Sequence, residues 1–428
     1  MMVDKLYEIY RQHPAVQTDT RKLIPGEIFF ALKGEHFNGN QFAKTALEMG
    51  AAAVVVDEEI HVTDDRLFTV PDVLKALQDL ALHHRKQFQI PFIAITGSNG
   101  KTTTKELVHA VLSTTFRTAT TKGNFNNHIG IPLTILSIPM DAEMAVIEMG
   151  ANHQKEIEAY CTYTLPTHGI ITNCGKAHLE GFGGVEGVKK GKGELFDFLR
   201  DHHGFAFVMW DYDYFHLMSH GIQNMITYGT TNASITGNVQ QSEPFLHVVM
   251  SSGTSLNIIE TQMVGGYNLP NVLAAVAIGK FFGVEEQNIK TAIESYVPNN
   301  SRSQWISKGS NSIILDAYNA NPSSMKLAIE NFSLQSHEPK FLMIGGMMEL
   351  GEESIAEHQA IIDLTHSLNL KNVILVGGDF KKIDHTYRYF ENASDAGIWL
   401  KKESVKNALF LIKGSRSMKM ENILQAFE

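Results

Sequence analysis

Residues 90–104, Ile-Pro-Phe-Ile-Ala-Ile-Thr-Gly-Ser-Asn-Gly-Lys-Thr-Thr-Thr, leave the chain few folds to choose from. An apolar, branched run ends abruptly at Gly97-Ser98-Asn99-Gly100-Lys101-Thr102, and a helix-like stretch follows from Lys105 to Leu112. Strand, glycine-bearing loop and helix in that order make a cradle for an anion. Glycines let successive backbone N–H groups turn toward it, the helix start adds a positive dipole end, and Lys101 brings a point charge. Thr102 would then offer its hydroxyl to Mg²⁺. The common pattern G-x-x-x-x-G-K-[ST] would put glycine at position 95, where Ile95 stands, so this is a tighter variant of the loop. An ordinary strand-to-helix turn with a surface lysine is the plainer reading, but strand, loop, Lys-Thr and helix fall in the order that phosphate binding requires.

At 428 residues the chain exceeds what one core can organise, and about three domains of ~150 residues are expected. The formal charge of −10 and the lack of any basic tract argue against a nucleic-acid binder. No run approaches the ~18 apolar residues of a membrane helix. The first residues, Met-Met-Val-Asp-Lys-Leu-Tyr-Glu, carry charges where a signal peptide would have its apolar core, so a cytoplasmic protein without membrane insertion is expected. Cys161 and Cys174 form no C-x-x-C pair and read as small buried apolar residues.

Residues 1–88 read as a small α/β unit with short strands near Ile28–Leu32 and Ala52–Val56. Thr20 and Arg21, with the Gly-containing turns that follow, could hold a phosphorylated small molecule or could be turns and nothing more.

Residues 89–298 alternate strands with helices, as a mostly parallel sheet requires. Thr121 and the polar run holding Asn124, Asn126 and Asn127 form a loop, structural or facing a substrate. The strand Met144–Ile147 ends in Glu148, where parallel strands collect ligands and an acidic residue could hold Mg²⁺. His178 lies past a third strand end. Mg²⁺ prefers oxygen, so by itself it reads as a hydrogen-bonded loop histidine. Lys189, Lys190 and Lys192 open a helix and by spacing alone read as a solvated face. Asn268 and Asn271, one turn apart at the start of an Ala-rich helix, could read an adenine edge or cap the helix.

Residues 299–428 read as a third α/β domain whose strands, near Ser312–Leu315, Lys340–Ile344, Asn372–Val376 and Leu409–Ile412, end in Gly- and Asn-rich turns at one edge.

Taken together, Thr96 to Thr104, Gly123-Asn124-Phe125-Asn126-Asn127, Glu148-Met149-Gly150-Ala151, Ala177-His178-Leu179-Glu180, Tyr318-Asn319-Ala320-Asn321-Pro322 and Lys413-Gly414-Ser415-Arg416-Ser417 resemble the Mur ligase family, over the length of the chain and in the family's order. The family also uses the shorter loop. The resemblance implies three domains: a small α/β one for the UDP sugar, a central phosphate-loop ATPase with a mostly parallel sheet, and a C-terminal Rossmann-like one. It is nearest to the member that uses ATP to join D-Ala-D-Ala to the UDP-N-acetylmuramoyl tripeptide through an acyl phosphate, an enzyme expected to be monomeric.

By that resemblance Gly97, Ser98, Asn99, Gly100, Lys101, Thr102 and Thr103 bind ATP, Asn268 and Asn271 meet adenine, and Arg302 and Asp316 reach ATP from the C-terminal domain. Thr20 and Arg21 resemble the UDP-binding turn, and Thr121, Asn124, Asn126 and Asn127 lie on the loop facing the muramoyl peptide. Thr102, Glu148 and His178 resemble the Mg²⁺ ligands, joined by Lys192 if carbamylated. Lys101, Lys192, His178 and Glu148 are the implied catalytic groups. A lysine must lose its proton before carbamylation, which a desolvated pocket favours. Two positions depart from the family pattern: Tyr267, where many members have histidine, and Gly346, where aspartate is common.

Within the family the rival is the ligase that adds lysine or diaminopimelate as third residue. Its diaminopimelate-adding form carries Asp-Asn-Pro-Arg, which does not occur here. A nucleotide-binding protein without catalysis would be free to lose Glu148, His178 or Lys192, and all three are present.

Overall fold

Every residue of Phe92–Thr96 is buried, as an unbroken apolar run requires of a parallel strand covered on both faces. The computed structural model describes residues 2–427. On one side of the chain five strands lie in the order Ile258–Glu260, His247–Ser252, Ile235–Gln241, Asn224–Gly229, Phe205–Met209, and separately Thr118–Thr120 pairs parallel with Met144–Glu148. The pairings from Phe205–Met209 to Ile235–Gln241 are parallel, whereas the last two strands on that side pair antiparallel.

By packing, the chain divides into two compact units: Met1–Ala94 with Phe116–Ala151 and Lys155–Gly169, and Ile95–Thr115 with Asn152–Gln154 and Ile170–Glu428. In the first, a parallel four-stranded sheet is ordered Val16–Gln17, Ile28–Phe30, Ala53–Val56, Leu67–Thr69. Its core joins Phe29, Val54 and Val56 to Ala43, Ala46 and Leu47 of the helix Ala43–Glu48. The helix Val73–Arg85 is capped by Asp72, whose side chain accepts from Lys75 N.

In the second unit, the helix Leu269–Phe281 has proline in its first turn and is buried on nearly all sides. It packs against the helix Lys101–Leu112, and the approach is close: a β-carbon on Gly279 would lie 2.6 Å from Val111. A six-stranded sheet follows, ordered Gln304–Lys308, Asn311–Asp316, Leu409–Lys413, Lys340–Gly345, Asn372–Val376, Arg388–Phe390, parallel except at its first pairing. Ile313, Leu315, Met343, Ile374, Phe410 and Ile412 fill its core. The carboxyl ends of the parallel strands bring Asp316, Gly345, Val376 and Lys413 to one edge, where ligands of such sheets collect. Among the described residues no helix is long and apolar enough to cross a membrane.

Candidate active site

The phosphate loop is braced from beneath by the segment that follows His168–Ile171. Gly97 has φ +138°, and a β-carbon there would lie 2.0 Å from Thr172 Oγ1, so only glycine lets the two backbones approach. Ser98 N donates to Asn173 O (2.8 Å) and Asn99 N to Asn173 Oδ1 (3.1 Å). In return, Thr172 Oγ1 (2.6 Å) and Asn173 Nδ2 (3.0 Å) donate to Asn99 O. Ser98 Oγ donates to Gly175 O at 2.8 Å. The N–H groups of Ser98 and Asn99 are thus turned toward Asn173. Gly100, at φ +80°, then reverses the chain into a helix that begins at Lys101, four residues earlier than the sequence reading placed it. Lys101 Nζ folds back over the loop and donates to Gly97 O (2.6 Å) and Ser98 O (3.1 Å). Thr102 is buried and Thr103 half-buried in the first turn.

Asn268 and Asn271 support this turn. Asn271 Oδ1 accepts from Thr104 Oγ1 (2.9 Å), Asn271 Nδ2 donates to Asn268 Oδ1 (2.8 Å), and Asn268 Nδ2 donates to Val264 O (2.9 Å). The Asn268 side chain makes no capping bond to the helix that follows it. The pair instead ties the start of one helix to the start of the other.

In the first unit, the strand end at Glu148 and the asparagine loop are one construction. Glu148, 1% exposed, accepts from Asn126 Nδ2 at 2.7 Å, its backbone N donates to Thr121 Oγ1 at 3.0 Å, and Gly150 N donates to Asn126 O at 2.7 Å. Asn127 Oδ1 accepts from Ile129 N (3.2 Å) and Gly130 N (2.8 Å), closing the turn into the helix Gly130–Leu136. Asn124 O accepts from Asn126 N at 2.8 Å, and the Asn124 side chain is exposed.

In the second unit, residues 175–180 meet loops of the six-stranded sheet. Lys176 N donates to Ser323 Oγ (2.9 Å), and Lys176 Nζ pairs with Glu357. His178 Nδ1 is in contact with Glu349 Oε2, and this neighbour holds the Glu349 carboxyl below the usual carboxylate range. Asn321 Nδ2 donates to Asn99 Oδ1 on the phosphate loop at 2.7 Å. Lys192 is 1% exposed, with its ammonium 4.7 Å from the centre of the Phe182 ring. Nearby, burial pushes the Cys174 thiol up to about 12, so it stays protonated and inert, despite the pull of Lys192 and Lys189.

Three sequence models match the chain in succession: the Mur ligase family catalytic domain over residues 14–93, the Mur ligase middle domain over 95–279, and the Mur ligase glutamate ligase domain over 301–416. The chain is also 35% identical, over 96% of its length and 92% of the relative's, to the UDP-N-acetylmuramoyl-tripeptide--D-alanyl-D-alanine ligase of Bacillus subtilis. The chain belongs to the Mur ligase family. Solved structures agree: the Acinetobacter baumannii MurF is similar at a TM-score of 0.89 and 29% identity, covering 96% of this chain and 93% of that one. MurF ligase from Thermotoga maritima, solved in complex with ADP, is similar at 0.87 and 26%, covering 96% of each. The fold is therefore the three-part α/β architecture of the Mur ligases, and ATP binding goes with it.

In this Mur ligase the remaining candidates sit as follows. Arg302 stacks 3.6 Å over the Tyr318 ring, and its Nε is buried without a hydrogen-bond partner. Asp316 accepts from Ser303 N (3.2 Å) and pairs at 2.6 Å with Lys413, whose side chain is 2% exposed. That pair gives the Lys413 signature, which had no role by sequence, a structural one. Tyr267, in place of the family's frequent histidine, shares a 2.9 Å hydrogen bond with Ser303, and burial raises its hydroxyl pKa. Gly346 backs onto Gly378, whose Cα would lie 2.5 Å from an added β-carbon, so no aspartate fits there in this chain. Arg21 forms a bidentate pair with Asp19 (2.9 and 2.8 Å) beside the turn Thr20–Lys22, yet its side chain remains 88% exposed. Glu349 lies in the stretch Met348-Glu349-Leu350-Gly351 beside the departure at Gly346, but neither its contact with His178 nor the Lys176–Glu357 pair carried a sequence signal, since partners 171 to 181 residues apart are joined only by the fold.

Proposed function

We propose that this Mur ligase uses ATP to join D-Ala-D-Ala to the terminal carboxylate of the UDP-N-acetylmuramoyl tripeptide, giving the pentapeptide precursor of peptidoglycan. The observation that carries this reading is the 35% identity across 96% of the chain to a ligase of that name, together with a phosphate loop whose glycines and brace are intact.

A carboxylate is a poor electrophile. Its oxygen therefore attacks the γ-phosphorus of ATP, the bond to the β–γ bridging oxygen breaks, and ADP leaves. The amine of D-Ala-D-Ala then attacks the acyl carbon of the resulting acyl phosphate, loses a proton and expels inorganic phosphate. Gly100 to Thr103 hold the phosphates at the helix N-terminus. Lys101, drawn from the carbonyls of Gly97 and Ser98, neutralises charge on the transferring group. Asn268 and Asn271 fix the loop from behind and set the adenine side of the site. Arg302, with a guanidinium nitrogen lacking a partner, and Asp316 meet ATP from the C-terminal domain. Thr20 and Arg21 take the UDP phosphates, and Thr121, Asn124, Asn126 and Asn127 shape the muramoyl peptide site.

Mg²⁺ suits the chemistry of the donors present. Among the described residues no three His, Cys, Asp or Glu side chains gather as a metal centre, but the proposed set includes only two of these, Glu148 and His178, beside the Thr102 hydroxyl and a carbamate on Lys192. Three oxygen donors and one imidazole fit a hard cation, and the dry setting of Lys192 is one in which a lysine can be carbamylated. When bound, the ion would offset the charge of the phosphoryl group and of the acyl phosphate. The proposed domain limits are 1–88, 89–298 and 299–428, and the protein acts as a cytoplasmic monomer with no nucleic-acid partner.

The test is phosphate release from ATP and Mg²⁺. Release should require both the UDP-muramoyl tripeptide and D-Ala-D-Ala and should vanish in Lys101→Ala. Release only with the dipeptide and a free diamino acid would assign the protein to the preceding step.

A further inference from the structure

The contact between His178 and Glu349 joins two strained residues. His178 has φ +52° and Glu349 φ +62°, a left-handed conformation that side-chain-bearing residues adopt at a cost and keep only where their surroundings fix it. Both are fixed. His178 O accepts from Phe182 N at 3.1 Å, closing the short helix Leu179–Phe182. The Glu349 loop is pinned by two buried side chains: Met347 N donates to His358 Nε2 (3.0 Å), and Met348 N donates to Ser415 Oγ (3.1 Å). Gly351 packs its α-carbon side against Glu180, which keeps the loop seated on residues 178–180.

The chemistry of the pair is specific. His178 Nδ1 is a buried atom in contact with the Glu349 carboxylate. A carboxylate there favours a proton on Nδ1, which leaves Nε2 as the lone-pair nitrogen. This carboxylate–imidazole arrangement is the one that orients a metal-ligating histidine. Glu349 stands on the six-stranded sheet's loop, after Lys340–Gly345, so it reaches His178 only when that sheet is seated on residues 175–180.

We propose that Glu349 is a positioning residue for the metal site: it sets the tautomer and orientation of His178, so that full Mg²⁺ affinity requires the C-terminal loop to be in place. This rests on His178 being a Mg²⁺ ligand, as proposed above.

Full-length protein would be titrated with Mg²⁺ while binding of a non-hydrolysable ATP analogue is followed, and the tautomer of His178 would be read by long-range ¹H–¹⁵N NMR on histidine-labelled protein. Glu349→Gly removes the carboxylate and, at φ +62°, also removes strain, so the variant should fold. Its Mg²⁺ half-saturation should rise ~10-fold or more, the usual effect of removing such a partner, with analogue binding without Mg²⁺ unchanged and the His178 tautomer altered. Glu349→Gln, which can still accept from Nδ1, should fall between. If His178→Ala raises the Mg²⁺ requirement while Glu349→Gly leaves both requirement and tautomer at wild-type values, the role of Glu349 is overturned. If His178→Ala leaves the requirement unchanged, the ligand assignment falls and the role of Glu349 with it.

Discussion

Asn271 stands directly behind Gly100: a β-carbon on the glycine would lie 2.7 Å from the Asn271 amide oxygen, which is already engaged by Thr104. Two residues 171 positions apart in sequence therefore fix one turn of backbone, and the glycine is required both by its φ of +80° and by its neighbour.

Gly100→Ala should consequently cost more than its left-handed backbone alone, which is roughly 1–2 kcal/mol. Thermal unfolding and ATP-analogue affinity should both fall. Adding Asn271→Ala should recover part of the loss, since it clears the space, and a double-mutant cycle would read that coupling directly. Strictly additive losses would mean that the asparagine does not support the turn.

Asn321 has two separable jobs. Its side-chain oxygen accepts from Ser324 N (2.9 Å) in a capping box at the start of the helix Pro322–Ser333, while its amide nitrogen donates to Asn99. Asn321→Asp keeps the cap and sets a carboxylate against the Asn99 oxygen. It should raise the KM for ATP with little change in melting temperature, whereas Asn321→Ala should also lose ~1 kcal/mol of stability with its cap.

The Lys413–Asp316 pair joins residues in register on neighbouring parallel strands. Lys413→Met removes one partner of a nearly buried pair. Such a loss costs up to roughly 3–5 kcal/mol when the other charge is left without compensation. Because Asp316 keeps some access to water and the bond from Ser303, the drop measured by denaturant unfolding should lie at or below the lower end of that range.

Acid should weaken the fold through its buried imidazoles. His84 lies between Tyr7 Oη (3.1 Å) and Ile138 O (3.0 Å), and His358 is wholly buried; burial lowers the pKa of both. Below the ordinary histidine value of ~6.5 the unfolded chain takes up protons that the folded protein refuses. Stability is thus fully present above that value, falls as pH drops toward the lowered folded pKa values, and gains no further slope from these groups below them. Unfolding followed from pH 7.5 to 5 should show this slope, and it should shrink in His84→Gln.

The phosphate loop and the strands around it were legible because their chemistry is local: a buried branched strand, glycines, then Lys-Thr. Helix entry was placed late, at Lys105, because Thr102, Thr103 and Thr104 are β-branched and read as poor helix; the Gly100 turn and the packing of Leu269–Phe281 override that preference. The strands Asn224–Gly229 and Ile235–Gln241 went unread because polar residues and Gly237 break any period-2 pattern, and their pairing partners supply the order instead. Glu148 was legible as a strand-end carboxylate, but its bond to Asn126 was not. Asn268 and Asn271 were legible as a pair, yet their service to the phosphate loop depends on a helix packing that no local pattern announces.

The most direct measurement uses UDP-muramoyl tripeptide labelled with ¹⁸O in its terminal carboxylate. With ATP, Mg²⁺ and D-Ala-D-Ala, the carboxylate oxygen that attacks phosphorus becomes the bridge of the acyl phosphate and leaves with it. Mass spectrometry should therefore find one ¹⁸O in each phosphate released, alongside the pentapeptide product. Unlabelled phosphate, or label that appears without D-Ala-D-Ala being joined, would contradict the ligase account.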